Sequence, residues 1–261
     1  MLSSIQVRSF IAIGALCFSA LLPSTSRATI VEFETVLGNF EVNLYDNATP
    51  QTVANFLDYV QNGRYTDSIF HRSVANFVIQ GGGFNTNARA DIGVITTGAA
   101  VVNEPVYSNV RGTIAMAKVA GNPNSATSQW FFNVDDNSDD LDGQNGGFTV
   151  FGEVIGNGMD IVDALAALPV YNIGSPLTEL PLRNYTAQDA ANNVPIDNTH
   201  LVIISSITVT DTTVDSAAGL NPTPNTANDN GGSLGGGGGG STGVLLLLGL
   251  FAVRVSRHLR R

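Results

Sequence analysis

Two stretches of alternating apolar and polar residues open the middle of the chain. Residues 30–37 (IVEFETVL) and residues 39–45 (NFEVNLY) carry an apolar side chain at nearly every second position. Alternation with a period of two is typical of a β-strand that buries one face. Because Gly38-Asn39, a dipeptide favoured in tight turns, joins the two stretches, the sequence predicts a β-hairpin.

The apolar period then changes from two to that of a helix. Thr49 is a favourable N-cap, and Pro50 suits the first helical turn because its missing N–H costs nothing there. Apolar residues recur at helical spacing from Val53 onward until Gly63, which we expect to end the helix. A second helix is predicted over residues 159–168, where a proline follows.

Short strand candidates fill most of the remaining chain. They cover residues 69–72, 77–80, 112–116, 129–133, 148–154 and 201–210. Many short strands with only two helices favour an all-β barrel or sandwich with helical caps. We expect one domain over residues 29–211, in which residues 169–198 form a long irregular excursion.

The charges are unevenly distributed along the 261 residues, whose formal net charge is -10. Every acidic residue lies between Glu32 and Asp229, whereas half of the basic residues lie near the two ends. Such an acidic middle argues against nucleic acid as a partner, because phosphate binding needs clustered Lys and Arg. The single cysteine, Cys17, excludes both an intrachain disulfide framework and a thiolate zinc cluster.

The first 28 residues have the pattern of a secretory signal peptide. Arg8 is followed by a short apolar stretch, and Ser26 and Ala28 are small residues at the usual positions before a cleavage site. We predict cleavage after Ala28, with an uncleaved anchor as the alternative. The mature protein would then be exported to the periplasm or cell surface of a Gram-negative bacterium.

The C-terminal part divides into a linker and a tail. Residues 212–243 are rich in Thr, Asn, Pro and Gly, a composition that predicts a flexible linker. Residues 244–261 combine a short apolar run with four arginines. This order resembles the GlyGly-CTERM sorting signals of Gram-negative bacteria, which implies membrane contact through the tail before processing. A short permanent membrane tail is the alternative.

Four motifs occur in order within the domain. They are FHRSVANFVIQGG (residues 70–82), TIAMA (113–117), SATSQWFF (125–132) and VFG (150–152). Together they resemble the cyclophilin family of peptidyl-prolyl cis-trans isomerases, over nearly all of the domain. The resemblance implies a mainly β fold, an eight-stranded antiparallel barrel capped by two α-helices. It also implies an enzyme that isomerises X–Pro bonds without a cofactor or metal. With the predicted signal peptide, we expect a monomer whose substrates are exported polypeptides.

The resemblance also assigns roles to individual residues. Arg72 is expected to be catalytic, and Gln80 to orient it and to bond the substrate backbone. Ala117 and Lys118 are expected to offer backbone groups to the peptide, and Gln129 to add a polar wall. The residues expected to line the apolar proline pocket are Phe77, Met116, Phe131, Leu141 and Phe148.

These residue types suit the reaction. Amide resonance sets a barrier of roughly 18–20 kcal/mol to rotation, and no bond has to break. The enzyme must therefore favour the twisted amide, whose nitrogen lone pair can accept a hydrogen bond from a guanidinium. An apolar pocket strengthens that hydrogen bond and holds the proline ring.

Two other interpretations stay open on the sequence alone. The fold could serve as a non-catalytic proline-peptide binding module, although the set of Arg72, Phe77 and Gln80 favours catalysis. The acidic loop from Asp135 to Asp142 could bind Ca²⁺ on a surface adhesion protein, although it lacks the Gly and Glu of a calcium-loop pattern. Asp140 stands where many relatives have an aromatic residue, which puts cyclosporin sensitivity in doubt.

Overall fold

The computed structural model describes residues 29–212 and 220–227. The predicted signal peptide, most of the predicted linker and the predicted sorting tail lie outside the described residues. The strands are β1 (Ile30–Thr35), β2 (Gly38–Leu44), β3 (Ser68–Ile69), β4 (Arg72–Val74), β5 (Val78–Gly81), β6 (Phe84–Asn85), β7 (Gly93–Val94), β8 (Thr113–Met116), β9 (Trp130–Asn133), β10 (Val150–Val154), β11 (Val170–Tyr171), β12 (Leu180–Pro181) and β13 (Ile203–Asp211). The helices are α1 (Pro50–Gln61), α2 (Ser138–Leu141), α3 (Gly158–Ala166) and α4 (Ala187–Ala191), with a 3-10 turn at Gln144–Gly146.

One antiparallel sheet dominates the described part of the chain. Its eleven strands follow the order β4-β5-β9-β8-β10-β2-β1-β13-β3-β6-β7, and β11 and β12 form a separate pair. The predicted hairpin is confirmed, since β1 and β2 pair along their whole length. α1 and α3 correspond to the two predicted helices, and α2 and α4 are short additions.

The mainly β antiparallel prediction is confirmed, but the expected count of eight strands is wrong for the described residues. Residues 69–72, predicted as one strand, divide because consecutive backbone groups choose different partners. The N–H of Phe70 donates to Val202 O (3.0 Å), whereas that of His71 donates to Gln80 O (3.0 Å). The chain therefore passes from β3, near one end of the sheet order, to β4 at the other end within two residues.

The sheet curls around an aromatic core. Phe33 on β1 and Trp130 on β9 have ring centroids 5.2 Å apart in an edge-to-face contact. Four strand spacings separate these strands in the sheet order, which would be about 19 Å in a flat sheet. The contact therefore requires curvature, and it places Phe33, Phe56 and Phe132 in the same buried cluster.

The excursion (residues 169–198) is mostly irregular, as predicted, and contains only the short elements β11, β12 and α4. Leu180 and Leu182 are fully buried in a separate apolar cluster with Ile69 and Leu201. The helix α4 begins with a capping box, in which Thr186 and Asp189 bond each other's backbone N–H groups. Scattered leucines and one local cap thus stabilise a segment whose polar composition resembles a loop.

Residues 220–227, which we name the strap, lie on the domain. The N–H of Ser108 donates to Thr223 O (2.8 Å), and the N–H of Asn225 donates to Val106 O (2.9 Å). The buried side chain of Asn225 also donates to Asp142 O (3.0 Å). Part of the range predicted as a linker is therefore held against the domain.

A search of the helices in the described ranges finds none with the length and apolar character needed to cross a membrane.

Candidate active site

Three of the predicted site residues, Arg72, Gln80 and Phe131, share one row across the sheet. Arg72 on β4 lies opposite Gln80 on β5, Gln80 lies opposite Phe131 on β9, and Phe131 lies opposite Ala115 on β8. Directly opposite residues of antiparallel strands project from the same face about 5 Å apart. The hydrogen-bond register alone therefore aligns a cation, an amide and an aromatic ring.

The apolar part of the site is a second cluster, separate from the aromatic core. It joins Phe131, Leu141 and Phe148 with Val78 and Ala117, and Phe77 packs against it. The rings of Phe131 and Phe148 meet edge to face, with centroids 5.8 Å apart. Four of the five predicted pocket residues are thus brought together in one cluster.

Met116 is the exception, and its predicted place in the pocket is corrected. Its side chain is fully buried in the central core, and in the register it lies opposite Trp130. Side chains alternate along β8, so Ala115 faces the pocket cluster whereas Met116 faces the core. Val78, which the sequence interpretation did not select, belongs to the pocket cluster instead.

Gln80 and Gln129 are coupled through their side chains. Gln80 Nε2 donates to Gln129 Oε1 over 2.8 Å. Oε1 of Gln80 is buried and has no hydrogen-bond partner in the described part of the chain. This acceptor next to Arg72 in the register is a polar group that a peptide N–H could satisfy.

One of the two backbone groups of Ala117 is already engaged within the domain. Its N–H already donates to Gln129 O (2.9 Å), so this group is not available to a peptide. At Lys118 the side chain is the prominent feature, and the expected role of its backbone stays a prediction. Its Nζ donates to Asn103 Oδ1 (3.2 Å), Asn145 O (3.0 Å) and Gly147 O (2.6 Å).

Lys118 also supports the pocket wall. Its ammonium lies 4.7 Å from the centroid of the Phe148 ring, within cation–π range. The residue is only 3% exposed, and this burial lowers the pKa of Lys118 to about 8. The lysine thus fixes the loop at residues 145–147 from behind the aromatic wall.

Arg72 is held by an acidic residue of the excursion. Its Nε donates to Glu179 Oε2 over 2.6 Å, with 12% of the arginine side chain and 36% of the glutamate side chain exposed. Burial lowers the pKa of Arg72, and the nearby Glu179 carboxylate raises it in compensation. Because the ordinary pKa of an arginine side chain lies so far above neutral pH, the Arg72 guanidinium keeps its charge.

His71 is neutral beside this cation. Burial and, to a smaller extent, the charge of Arg72 together lower the pKa of His71 to about 4. The imidazole packs edge to face on Phe84 with ring centroids 5.0 Å apart. The site therefore carries one cation at neutral pH along its β4 edge, rather than two.

The acidic loop divides into exposed and buried members. Asp135, Asp136, Asp139 and Asp140 are exposed. Asp142 is buried and accepts hydrogen bonds from the Ser108 hydroxyl and from the backbone and side chain of Asn109. Across the residues that the structure describes, no group of three or more His, Cys, Asp or Glu side chains is arranged to hold a metal ion.

Glu179, like Val78, is a site residue that the sequence interpretation missed. It is the only charged residue between Asp163 and Arg183. A lone acid among leucines is the one sequence signal that could have suggested a buried partner. Its partner, Arg72, is 107 positions away, so spacing alone could not identify the pair.

Comparison with known proteins gives a consistent picture. The family model for cyclophilin type peptidyl-prolyl cis-trans isomerase/CLD matches residues 30–187. A peptidyl-prolyl cis-trans isomerase of Acinetobacter baylyi is 44% identical over 170 residues, which are 64% of this chain and 86% of that protein. Peptidyl-prolyl cis-trans isomerase B of Escherichia coli is 41% identical over 144 residues, covering 52% of this chain and 83% of that protein.

The fold also matches a solved structure. A Cryptosporidium parvum cyclophilin type peptidyl-prolyl cis-trans isomerase superposes with a TM-score of 0.50 at 24% identity. The match covers 71% of this chain and 99% of that one.

Proposed function

Since the chain belongs to the cyclophilin family and is a peptidyl-prolyl cis-trans isomerase, we propose that Arg72 is its catalytic residue and that Phe131 and its neighbours receive the substrate proline. The observation that carries this proposal is the cross-strand row, in which the guanidinium, Gln80 and Phe131 share one face. Proline-containing peptides are the substrates that such a domain acts on.

The row supports a specific division of work. Phe131, Phe148 and Leu141 form an apolar surface that suits a pyrrolidine ring. Gln80, whose buried Oε1 has no hydrogen-bond partner among the described residues, bonds the peptide backbone. Arg72 then donates to the prolyl nitrogen, which becomes a good acceptor only when the amide twists, so the bond favours the transition state over both planar forms.

We further propose that the substrates are exported polypeptides and that the enzyme acts as a monomer in the periplasm or at the cell surface. This part rests on the predicted signal peptide and the predicted sorting tail, which lie outside the described residues. Mass spectrometry of the protein from the cell envelope tests it. An N-terminus at Thr29 and an end near the glycine run support export and processing, whereas retained Met1 and Arg261 would contradict them.

A protease-coupled isomerase assay tests the catalytic role. We expect Arg72→Ala to lower kcat/KM by roughly a hundredfold or more, because the hydrogen bond exists only in the transition state. Arg89→Ala is the matched control, since Arg89 is an exposed arginine outside the site. If Arg72→Ala binds a proline peptide and isomerises it as fast as the wild type, the catalytic role of Arg72 is wrong.

A further inference from the structure

Glu179 contacts the edge strand β4 through both its backbone and its side chain. The N–H of Ser73 donates to Glu179 O over 2.9 Å, while Arg72 Nε donates to Glu179 Oε2 over 2.6 Å. Two consecutive residues of β4 are therefore matched to one residue of the excursion. The backbone hydrogen bond from Ser73 fixes the position of residue 179, and this position brings the Glu179 carboxylate next to the Arg72 guanidinium.

The contact uses only one side of the guanidinium. Nη1 and Nη2 of Arg72 are buried, and within residues 29–212 and 220–227 neither has a hydrogen-bond partner. Buried, unpaired donors are costly and uncommon in native proteins. Because Glu179 takes the Nε–H, the two terminal nitrogens are left as the donors that a substrate can satisfy.

We propose that Glu179 is a positioning residue, which fixes the rotation of the Arg72 guanidinium so that its terminal nitrogens are presented to the twisted prolyl amide. The proposal rests on the catalytic role proposed for Arg72. A charged hydrogen bond to Nε restricts a long side chain that otherwise samples many rotamers. Prior ordering of a catalytic group lowers the barrier, because less freedom is lost on reaching the transition state.

The surroundings of Glu179 allow this role to be tested without unfolding the segment. Leu177 and Leu180, on either side in the sequence, are buried in the excursion's own apolar cluster. The bond from Ser73 uses only the backbone of residue 179. The Glu179 side chain itself is partly exposed, so its removal opens no large cavity.

The first experiment compares three variants in the isomerase assay. We expect Glu179→Ala to lower kcat roughly tenfold with little change in KM, because the guanidinium loses its orientation but not its charge. Glu179→Gln keeps an acceptor for the Nε–H of Arg72, so its kcat should stay within about threefold of the wild-type value. Thr178→Ala, at an exposed neighbouring position, is the control and should match the wild type.

The second experiment separates positioning from a structural role. The ¹H–¹⁵N resonance of the Arg72 Nε–H should shift in Glu179→Ala and remain near its wild-type position in Glu179→Gln. In an Arg72→Ala background, Glu179→Ala should have no further effect on activity. A further loss there, or an equal loss in Thr178→Ala, would mean that Glu179 acts only through the fold.

The two proposals fail in different ways. If Arg72→Ala is inactive but Glu179→Ala is as active as the wild type, or more active, the positioning role is overturned while the catalytic role stands. If Arg72→Ala is fully active, the catalytic role itself fails, whatever the Glu179 variants show.

Discussion

Gly81 lies directly against the indole of Trp130. A Cβ at position 81 would be 2.6 Å from Cη2 of that ring, and a Cβ at Gly82 would be 2.8 Å from its Nε1. Trp130 is fully buried in the aromatic core, so the ring has little room to move. Gly81 therefore makes space for the tryptophan beside the cross-strand row, whereas Gly82 is required first by its positive φ and by Ser128 O, with which an added Cβ would overlap.

Gly81→Ala should destabilise the domain by about 1–3 kcal/mol, because the added methyl overpacks a rigid core contact. In a Trp130→Phe background the same change should cost clearly less, since the smaller ring leaves the contested space empty. Urea unfolding of the four proteins measures both values. Equal costs of Gly81→Ala in the two backgrounds would show that the tryptophan is not the reason for the glycine.

His71 should make the stability depend on pH in a mildly acidic range. Its pKa is lowered by burial to about 4 in the folded protein, against about 6.5 in an unfolded chain. Between these values the unfolded chain binds a proton that the folded protein does not, so stability is lost as the pH falls from about 6.5 to 4.

Protonation of His71 is expected to lower the free energy of unfolding by about 3 kcal/mol between pH 7 and pH 4. His71→Gln lacks the titrating group, so its free energy of unfolding should fall less steeply than that of the wild type over the same interval. Urea titrations at pH 7, 5.5 and 4 measure the difference. Parallel curves for the two proteins would contradict a depressed pKa at His71.

Lys118 should affect substrate affinity through the loop that it holds. Lys118→Met removes the donors to Asn145 O and Gly147 O and the cation beside Phe148. We expect KM to rise severalfold while kcat changes little, because the aromatic wall loosens and the Arg72 side is untouched. Lys118→Arg retains donors and charge and should lie between the two. An unchanged KM in Lys118→Met would show that Phe148 needs no such support.

One part of the site is local in the sequence, whereas Phe131, Leu141 and Phe148 are distant from it and are predicted only by the family resemblance. Alternation along β1 and β2 fixes their hairpin. A motif that spans eleven residues from Phe70 to Gln80 brings Arg72 and Gln80 to adjacent strands and Phe77 to the turn between them. The prediction that Met116 lines the pocket is wrong because a strand presents neighbouring residues to opposite faces. The motif alone does not say which of these faces binds substrate. Ala115 and Met116 differ by one position and lie in different clusters.

Contacts between distant segments are what the sequence does not predict. Glu179 meets Arg72 only because the buried leucines of the excursion fix the segment beside β4. The role of the Lys118 side chain likewise depends on the path of a loop 27–29 residues later. Neither pairing has a sequence spacing that a helix or a strand would impose.

The strap changes how far the domain can move from any surface that the predicted tail reaches. Asn225 is fixed to Val106 and Asp142, so the distance to the tail begins after Ala227 rather than after Thr212. The root-mean-square span of a coil grows with the square root of its length, and halving the predicted linker shortens that span by about a third. A tethered enzyme would then search a thinner layer for unfolded chains, at a correspondingly higher local concentration.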